Sequence, residues 1–405
     1  MSARPPHTIT NVAMHPSMYR TQVSIATKRA DNLDSRPTLN LKTLEESGID
    51  RVRNEAFLRG QKLARQERWD LLAVEFADAD RTRRVSPAGV TMTSVLGSGA
   101  RADATMHARA VISEGETGLP FGLESLDEVL EECSDHWAVA LIVARAHMET
   151  GWAYQGQIDP LGRPAQPGRA FLERFERAAE LLAAAETDAP SSPELAGAFC
   201  DLAAAGAGTS VTIDDLHMRA IALAPNNPGR LRIYGVHLLP RWYGSYDRLE
   251  AAANDMAQSH SVLSGDGAYA WTWFDALRLD PQAAEFLDCG RFIAGLNDIL
   301  TRRPSPHLAN LIVAYVDGMI PDNAPADLPD AATQARARIH ATLPRLIDDH
   351  LTELHPQVWA RVDIMPGAAQ PAPLQRGRVA AATAQARQTV LTLFPDGPGQ
   401  NARRR

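Results

Sequence analysis

Apolar residues in the central part of the chain recur at intervals of three and four positions, the spacing of an amphipathic helix. One such stripe is formed by Trp137, Leu141, Ala144, Met148 and Trp152. A helix with a single apolar face must cover that face against another element. The pattern therefore predicts a set of helices that pack on one another.

Residue pairs that favour the start of a helix recur along the same region. Between residues 190 and 310, Ser, Asn or Asp stands before proline at four places, and this combination favours an N-cap followed by the first helical residue. The four pairs are Ser192-Pro193, Asn227-Pro228, Asp280-Pro281 and Ser305-Pro306. Thr212 and Asp215 resemble a capping box. Alternate starts are separated by roughly 33 to 40 residues, the period range of helical-hairpin repeats.

The predicted fold is all-α, with stacked helical hairpins forming a tetratricopeptide-like α-solenoid or α/α superhelix. Four regions are predicted from composition and helix-breaking residues. They are a flexible N-terminal arm over 1–46, a helical-repeat domain over 47–317, a linker with C-terminal helices over 318–365, and a Pro/Ala-rich segment with a last helix and a basic tail over 366–405. Residues 90–120 are rich in glycine, so only one short helix, at about 102–112, is predicted among them.

The charge and the cysteine content of the chain limit the kinds of partner it can bind and the cellular compartment in which we expect it. The chain has 41 basic and 49 acidic residues, and its net charge of −8 argues against nucleic-acid binding. Its three cysteines form no Cys-x-x-Cys pair, so no disulfide framework or zinc site is predicted. The most apolar run, 137–144, is far shorter than the about 20 residues of a membrane-spanning helix. We therefore expect a cytoplasmic protein with no membrane or nucleic-acid partner.

Motifs of known chemistry are missing from the sequence. There is no glycine-rich loop ending in Gly-Lys-Ser or Gly-Lys-Thr, and no His-Glu-x-x-His. His350 and His355 lie near acidic residues, but a separation of five positions does not place both on one helical face. The spacing of acidic pairs such as Asp214-Asp215 does not distinguish catalytic carboxylates from ordinary charged surface residues. No catalytic residue, metal site or cofactor is predicted.

The segment Leu239-Pro-Arg-Trp-Tyr-Gly-Ser245 combines a helix stop with a helix start. Pro240 ends the preceding helix, Gly244 permits a sharp reversal, and Ser245 can cap the next helix. One interpretation is a stiff corner that sets how hairpins pack. The other is a binding patch, because residue types such as those of Arg241, Trp242 and Tyr243 are favoured as binding anchors. The two interpretations are compatible.

A second aromatic group lies downstream of this corner. Tyr269 and Trp273 are four residues apart, so they share one face of a helix. Both core packing and an aromatic floor for a ligand fit this arrangement. Together with Trp152 and the three corner residues, they form the predicted set of binding residues.

The corner also carries a resemblance to a known family. Leu239-Pro-Arg-Trp-x-Gly-Ser245, Trp152-x-x-x-Gly156 and Gly265-x-x-x-Tyr269-Ala resemble elements of a bacterial family of unknown function with tetratricopeptide-like helices. The resemblance covers about residues 120–315 and implies a helical-repeat fold, without implying an activity. Tyr243 stands where that family commonly has a small residue, and Gln155 where it commonly has arginine.

Two functions are compatible with these features. The first is an intracellular protein–protein interaction module whose concave face takes up a protein or peptide partner, as helical solenoids do. The alternative is a hydrolase or lyase of the α/α-toroid type, with an aromatic and acidic cleft. In that case, two carboxylates should converge within roughly 5 to 10 Å.

Overall fold

The computed structural model describes residues 41–115, 118–133, 136–155, 168–206, 211–242, 244–320, 325–366 and 374–395. Helices dominate these ranges. They are α1 Gly48–Arg65, α2 Trp69–Thr82, α3 Met92–Ala100, α4 Ala102–Ser113, α5 Phe121–Glu132, α6 Trp137–Gln155, α7 Arg169–Asp188, α8 Pro193–Ala204, α9 Ile213–Leu223, α10 Pro228–His237, α11 Tyr246–Ser264, α12 Gly267–Leu279, α13 Cys289–Arg302, α14 Pro306–Asp317, α15 Asp330–His340, α16 Leu343–His350, α17 Pro356–Trp359 and α18 Arg376–Leu393. Two 3-10 helices, Pro240–Trp242 and Pro281–Phe286, and two short strands, β1 Lys42–Thr43 and β2 Glu353–Leu354, complete the described elements.

Consecutive helices pack as hairpins, which confirms the predicted all-α fold. Helix α6 packs on α7, α8 on α9, and α12 on both α11 and α13. One helix of each pair is buried on nearly every side: all ten residues of α10 are buried. The other helix is amphipathic, and α7 buries only a stripe that includes Phe171, Phe175 and Leu182. The hairpins therefore form an inner layer of α6, α8, α10, α12 and α14 and an outer layer.

Most of the predicted helix starts are confirmed. The side chains of Ser192, Thr212 and Asn227 accept hydrogen bonds from backbone amides in the first turn of their helices. Ser245 accepts a hydrogen bond from the backbone amide of Arg248 at 3.2 Å, at the start of α11. Ser305 makes no such bond, and Asp280 precedes a short 3-10 helix instead of an α-helix.

The prediction of a single short helix between residues 90 and 120 is wrong, because α3 precedes it. A Cβ on Gly60 would lie 2.0 Å from the carbonyl oxygen of Leu96, and one on Gly99 would lie 1.9 Å from that of Phe57. These glycines therefore allow α1 and α3 to touch backbone to backbone. Close helix contact explains Gly99 in this segment, whereas Gly115, with φ of 93°, lies in the turn after α4.

The start of the described chain meets the segment between α16 and α17. Strand β1 pairs in parallel with β2, and the amide of Leu44 donates to the carbonyl of Leu354 at 2.8 Å. The side chain of Gln357 donates to the carbonyl of Glu45 at 3.1 Å. Residues 41–46 thus belong to the folded body, although the sequence placed them in the arm, because a two-residue strand has no periodic pattern. The rest of that arm, 1–40, and the basic tail lie outside the described residues.

The loop between α2 and α3, residues 84–90, contacts α10, and we call it the central loop. Gly89 has φ of 96°, and a Cβ at this position would lie 2.1 Å from the backbone nitrogen of Gly229 at the start of α10. The carbonyl of Ala88 accepts a hydrogen bond from Nη1 of Arg232 at 2.8 Å. The loop is therefore fixed against α10 by a close backbone approach and by one buried arginine.

Arg232 also joins α10 to α12 through a buried ion pair. Its Nε and Nη2 donate to the two carboxylate oxygens of Asp275 at 2.7 and 3.0 Å, and the two side chains are 2% and 1% exposed. The guanidinium carbon lies 5.0 Å from the ring centre of Phe274, within cation–π range. Burial by itself would raise the pKa of Asp275, but Arg232 and Arg278 outweigh it, and the pKa is lowered.

We predict that Asp275→Asn lowers the free energy of unfolding by about 3–5 kcal/mol, because it leaves the buried guanidinium of Arg232 without a counter-charge. The matched control is Asp349→Asn in an exposed pair with Arg345, where the loss should stay below about 1 kcal/mol. Urea denaturation followed by circular dichroism measures both values. Equal losses in the two variants would contradict the central role of the buried pair.

Candidate functional site

A narrow polar chamber lies beside the central loop, between α3, α6, α8 and α10. Its walls include Thr91 and Ser98, and three arginines also face it: Arg101, Arg145 and Arg230. The centres of water-sized groups can occupy about 30 Å³ of this space, enough for a few water molecules. We call it the central chamber.

Helix α8 contributes the acidic side of the chamber. Glu194 and Asp201 both line it, and they stand three residues before and four residues after Gly197. Positions with these separations share one helical face. Ser192 and Pro193 start α8 and thereby set this face toward the chamber. Glu194 Oε2 also accepts a hydrogen bond from the Thr91 hydroxyl at 2.9 Å, which ties α8 to the start of α3.

Arg230, on α10, lies over Gly197. A Cβ on Gly197 would lie 1.7 Å from Nη1 of this arginine, so only glycine leaves room for the guanidinium. Nη2 donates to the carbonyl of Pro193 at 2.8 Å and lies 3.4 Å from Oε2 of Glu194. The side chain of Arg230 is 7% exposed. A buried cation is therefore held directly against the acidic face of α8.

The other two arginines are also held by carboxylates. Arg145, on α6, donates through Nη1 to Oδ2 of Asp201. Arg101 donates through Nε and Nη2 to Oε1 of Glu149 at 2.9 and 2.6 Å. Each guanidinium is thus fixed by one carboxylate. Buried charges of this kind are costly unless paired, and their concentration around a cavity is typical of functional sites.

Asp80, on α2, is a further buried carboxyl group, and it lies against the first turn of α8. Its Oδ1 accepts a hydrogen bond from the backbone amide of Glu194 at 3.1 Å. Burial raises the pKa of Asp80 to about 6, although its hydrogen bonds with Ser192 and Glu194 act in the opposite direction. The first turn of α8 is therefore held by a carboxyl group that titrates near neutral pH.

A pair of buried histidines lies next to Asp201. Nε2 of His217 and Nδ1 of His237 are 3.0 Å apart, and Nε2 of His237 is 3.9 Å from Oδ1 of Asp201. Burial lowers the pKa of both rings, and for His217 the neighbouring His237 lowers it further. The two rings are therefore neutral at pH 7, and a single proton can bridge them.

Those binding residues predicted from the sequence that the structure describes lie outside the central chamber. Trp152 and Trp242 are 9% and 5% exposed, and their rings meet edge to face with centres 5.8 Å apart. Arg241 is partly buried, and its Nη2 donates to the carbonyl of Leu279 at 3.1 Å. Tyr243 lies outside the described residues. The described part of the corner thus packs against neighbouring helices, while its role in binding stays a prediction.

Tyr269 and Trp273 share one face of α12, as the sequence predicts, and both are fully buried. The Tyr269 hydroxyl and the Trp273 indole nitrogen donate to the same oxygen, Oε2 of Glu250 on α11, at 2.6 and 3.0 Å. The Tyr269 hydroxyl also accepts from the amide of Asp288, the N-cap of α13. These contacts join α11, α12 and α13, and neither ring lines the central chamber.

The chamber residues were not singled out from the sequence, although a signal is present. Arg145 follows directly on the most apolar run of the chain. Arg230 and Arg232 alternate with the apolar residues Leu231 and Ile233. An arginine on an otherwise apolar helix must find a buried partner, which points to an interior polar site. The partner lies on α8 for Arg145 and Arg230 and on α12 for Arg232, and the sequence does not connect these helices to the arginine positions.

The described residues contain no group of three or more His, Cys, Asp or Glu side chains arranged to hold a metal ion. Within the same ranges, no helix combines the length and the apolar character needed to cross a membrane.

Comparison with protein-family models, with curated proteins and with solved structures gives no match to this chain. The resemblance carried by the corner motif therefore stays a prediction, and the assignment of a function depends on the chamber and its geometry.

The neutral histidine pair predicts that stability falls on acidification. The unfolded chain takes up protons at histidine below pH of about 6.5, whereas the folded chain does so only at lower pH, so stability is full above that value and is lost below it. We expect the thermal midpoint to fall less between pH 7.5 and 5.5 in His217→Gln than in the natural sequence. The difference between the two slopes gives the contribution of His217 alone. Asp80 contributes equally to both proteins, and its raised pKa increases stability on acidification.

An exposed histidine on α4 supplies the control for this measurement, and His107→Gln should keep the slope of the natural sequence. Equal slopes for His217→Gln and the natural sequence would show that the buried pair does not set the pH dependence.

Proposed function

We propose that this protein is a binding protein and that the central chamber is its ligand site. The observation that carries the proposal is the set of three buried or partly buried arginines around one cavity. Each is fixed by a carboxylate, and each has N–H groups that donate to none of the described residues. Side chains held in this way are pre-organised, so a ligand meets hydrogen-bonding groups that need no rearrangement. The dimensions of the chamber favour a small polar ligand.

Filling the chamber should abolish binding. Ser98, on α3, is buried and lines the chamber, so Ser98→Leu places an apolar side chain in the ligand volume. Ser113→Leu, at the exposed end of α4, is the matched control. Native mass spectrometry of the protein, incubated with pooled small polar metabolites, measures which compounds remain bound.

We expect at least one compound to bind the natural sequence and Ser113→Leu but not Ser98→Leu. Circular dichroism of both variants verifies that the helical fold is intact. If no compound binds, or if binding survives in Ser98→Leu, the chamber is not the ligand site.

The interaction module predicted from the hairpin pattern is a second candidate. The observation that favours it is the exposure of Leu119 and Phe121 around Pro120 at the start of α5, where 43% and 72% of the two apolar residues are accessible. Exposed apolar residues close together are typical of protein contacts. In this proposal the protein works in the cytoplasm and binds a protein or peptide partner through this end of α5.

Substitution of the exposed ring tests the second candidate. Phe121→Ser should reduce by about tenfold the recovery of a partner by cross-linking in the native host, as expected for the loss of an interface anchor. Val74→Ser, at a position 62% exposed on α2, controls for loss of surface apolarity. Unchanged recovery in Phe121→Ser would reject this surface.

The hydrolase or lyase alternative has weaker support. Glu194 and Asp201 do line one cavity, but each already forms an ion pair with an arginine, as structural carboxylates do. Phe76 is the single aromatic residue among the described residues that line the chamber. An aromatic and acidic cleft of the expected kind is therefore not favoured by this geometry.

A further inference from the structure

We propose that the ligand of the central chamber is a protonated phosphate, either as the free ion or as the phosphoryl group of a small monoester. This inference depends on the proposed ligand-binding function and adds the chemical class of the ligand. It follows from the presence of both unused donors and unused acceptors around one small space.

Arg145 supplies the first set of donors. Nη1 of this side chain is engaged by Asp201, whereas Nε and Nη2 have no acceptor among the described residues. Its side chain is 14% exposed and lines the chamber. Two adjacent N–H groups of one guanidinium match two oxygens of a phosphate.

Arg230 supplies the second set of donors. Both of its protein contacts use Nη2, and Nε is buried without an acceptor in the described part of the chain. Nη1 likewise donates to none of the described residues. The room above Gly197 fixes the position of this guanidinium. A desolvated cation with unused N–H groups attracts an oxyanion strongly, because a low dielectric weakens screening.

The carboxylates decide which oxyanion fits. Both recorded contacts of Glu194 use Oε2, and Oε1 accepts no hydrogen bond from a described residue. Asp201 uses Oδ2 for Arg145, and Oδ1 has no partner within 3.5 Å among those residues. An acceptor of this kind repels a fully ionised anion but accepts an O–H from a ligand. Near pH 7 free phosphate carries such a proton, and a phosphomonoester carries it at or below pH of about 6. Sulfate carries none in this range, so the chamber should select phosphate.

The total charge of the site agrees with this choice. Three arginines face three carboxylates, since Glu149 neutralises Arg101 from outside the chamber wall. A site with no net charge favours an ion of low charge. The arginines can donate to the oxygens of such an ion, and the carboxylates can accept hydrogen bonds from its O–H groups. The small volume favours a compact tetrahedral group over a larger carboxylic acid.

Isothermal titration calorimetry of the purified chain tests the proposal. Sodium phosphate, sodium sulfate and glycerol phosphate are titrated at pH 6.0, where free phosphate and about half of the monoester carry a proton. All titrations use one ionic strength, set with sodium chloride. We expect saturable binding of phosphate and at least about tenfold weaker binding of sulfate, as expected for one charge-assisted hydrogen bond replaced by repulsion. Comparison of phosphate with glycerol phosphate distinguishes the free ion from the monoester.

Two variants localise the effect. Gly197→Ala displaces the guanidinium of Arg230 without changing any charge and should weaken phosphate binding by about tenfold. Gly377→Ala is the matched helical control, because a Cβ there meets no atom within 4 Å. Glu194→Gln should remove the preference for phosphate over sulfate, because an amide can donate to an unprotonated oxygen. Circular dichroism verifies the fold of each variant.

Each remaining result overturns a defined part of the proposal. Equal affinity for phosphate and sulfate in the natural sequence would reject selection by the carboxylates. If neither ion binds, but another compound is lost on Ser98→Leu, the phosphate assignment fails and the ligand-binding function stands. If no compound binds the natural sequence, both proposals fail together.

Discussion

The buried ion pair between Arg232 and Asp275 is the constraint on which the interior of this protein depends. Neither side chain is accessible to water, so each requires the other to offset the cost of leaving solvent. The same guanidinium donates to the carbonyl of Ala88 and lies against the ring of Phe274. One side chain therefore fixes the distance between α10 and α12 and the position of the central loop. The chamber exists because that loop is held in place.

Close approach of backbones is the second requirement of the inner layer. Gly235, on α10, faces the carbonyl of Thr272 on α12, where a Cβ would lie only 1.7 Å away. Gly89 and Gly229 meet in the same way at the central loop. These contacts bring polar side chains of adjacent helices within hydrogen-bonding distance. Arg230 contacts α8 for the same reason, because Gly197 has no side chain and its missing Cβ leaves room for the guanidinium.

The chamber combines fixed cations with acceptors that are only partly used. In water such groups would be solvated and unselective, whereas in the interior their positions are set by neighbouring helices. Ordinary structural ion pairs usually satisfy each other in bidentate geometry, as Arg232 and Asp275 do. Arg145 and Arg230 do not form bidentate pairs, since each contacts its carboxylate through one nitrogen only. This difference distinguishes the arginines of the chamber from the structural arginine, Arg232.

Local spacing and capping residues are enough to predict the helical class, the hairpin order and most helix starts. Ser192, Asn227 and Ser245 act within a few residues of their own positions, so their effect can be predicted from neighbours. The chamber could not be predicted in this way. Arg145 and Asp201 are 56 residues apart, and Arg101 and Glu149 are 48 apart. Only the tertiary structure decides which buried charges become partners, because pairing depends on how the hairpins stack and on where a glycine leaves room between them.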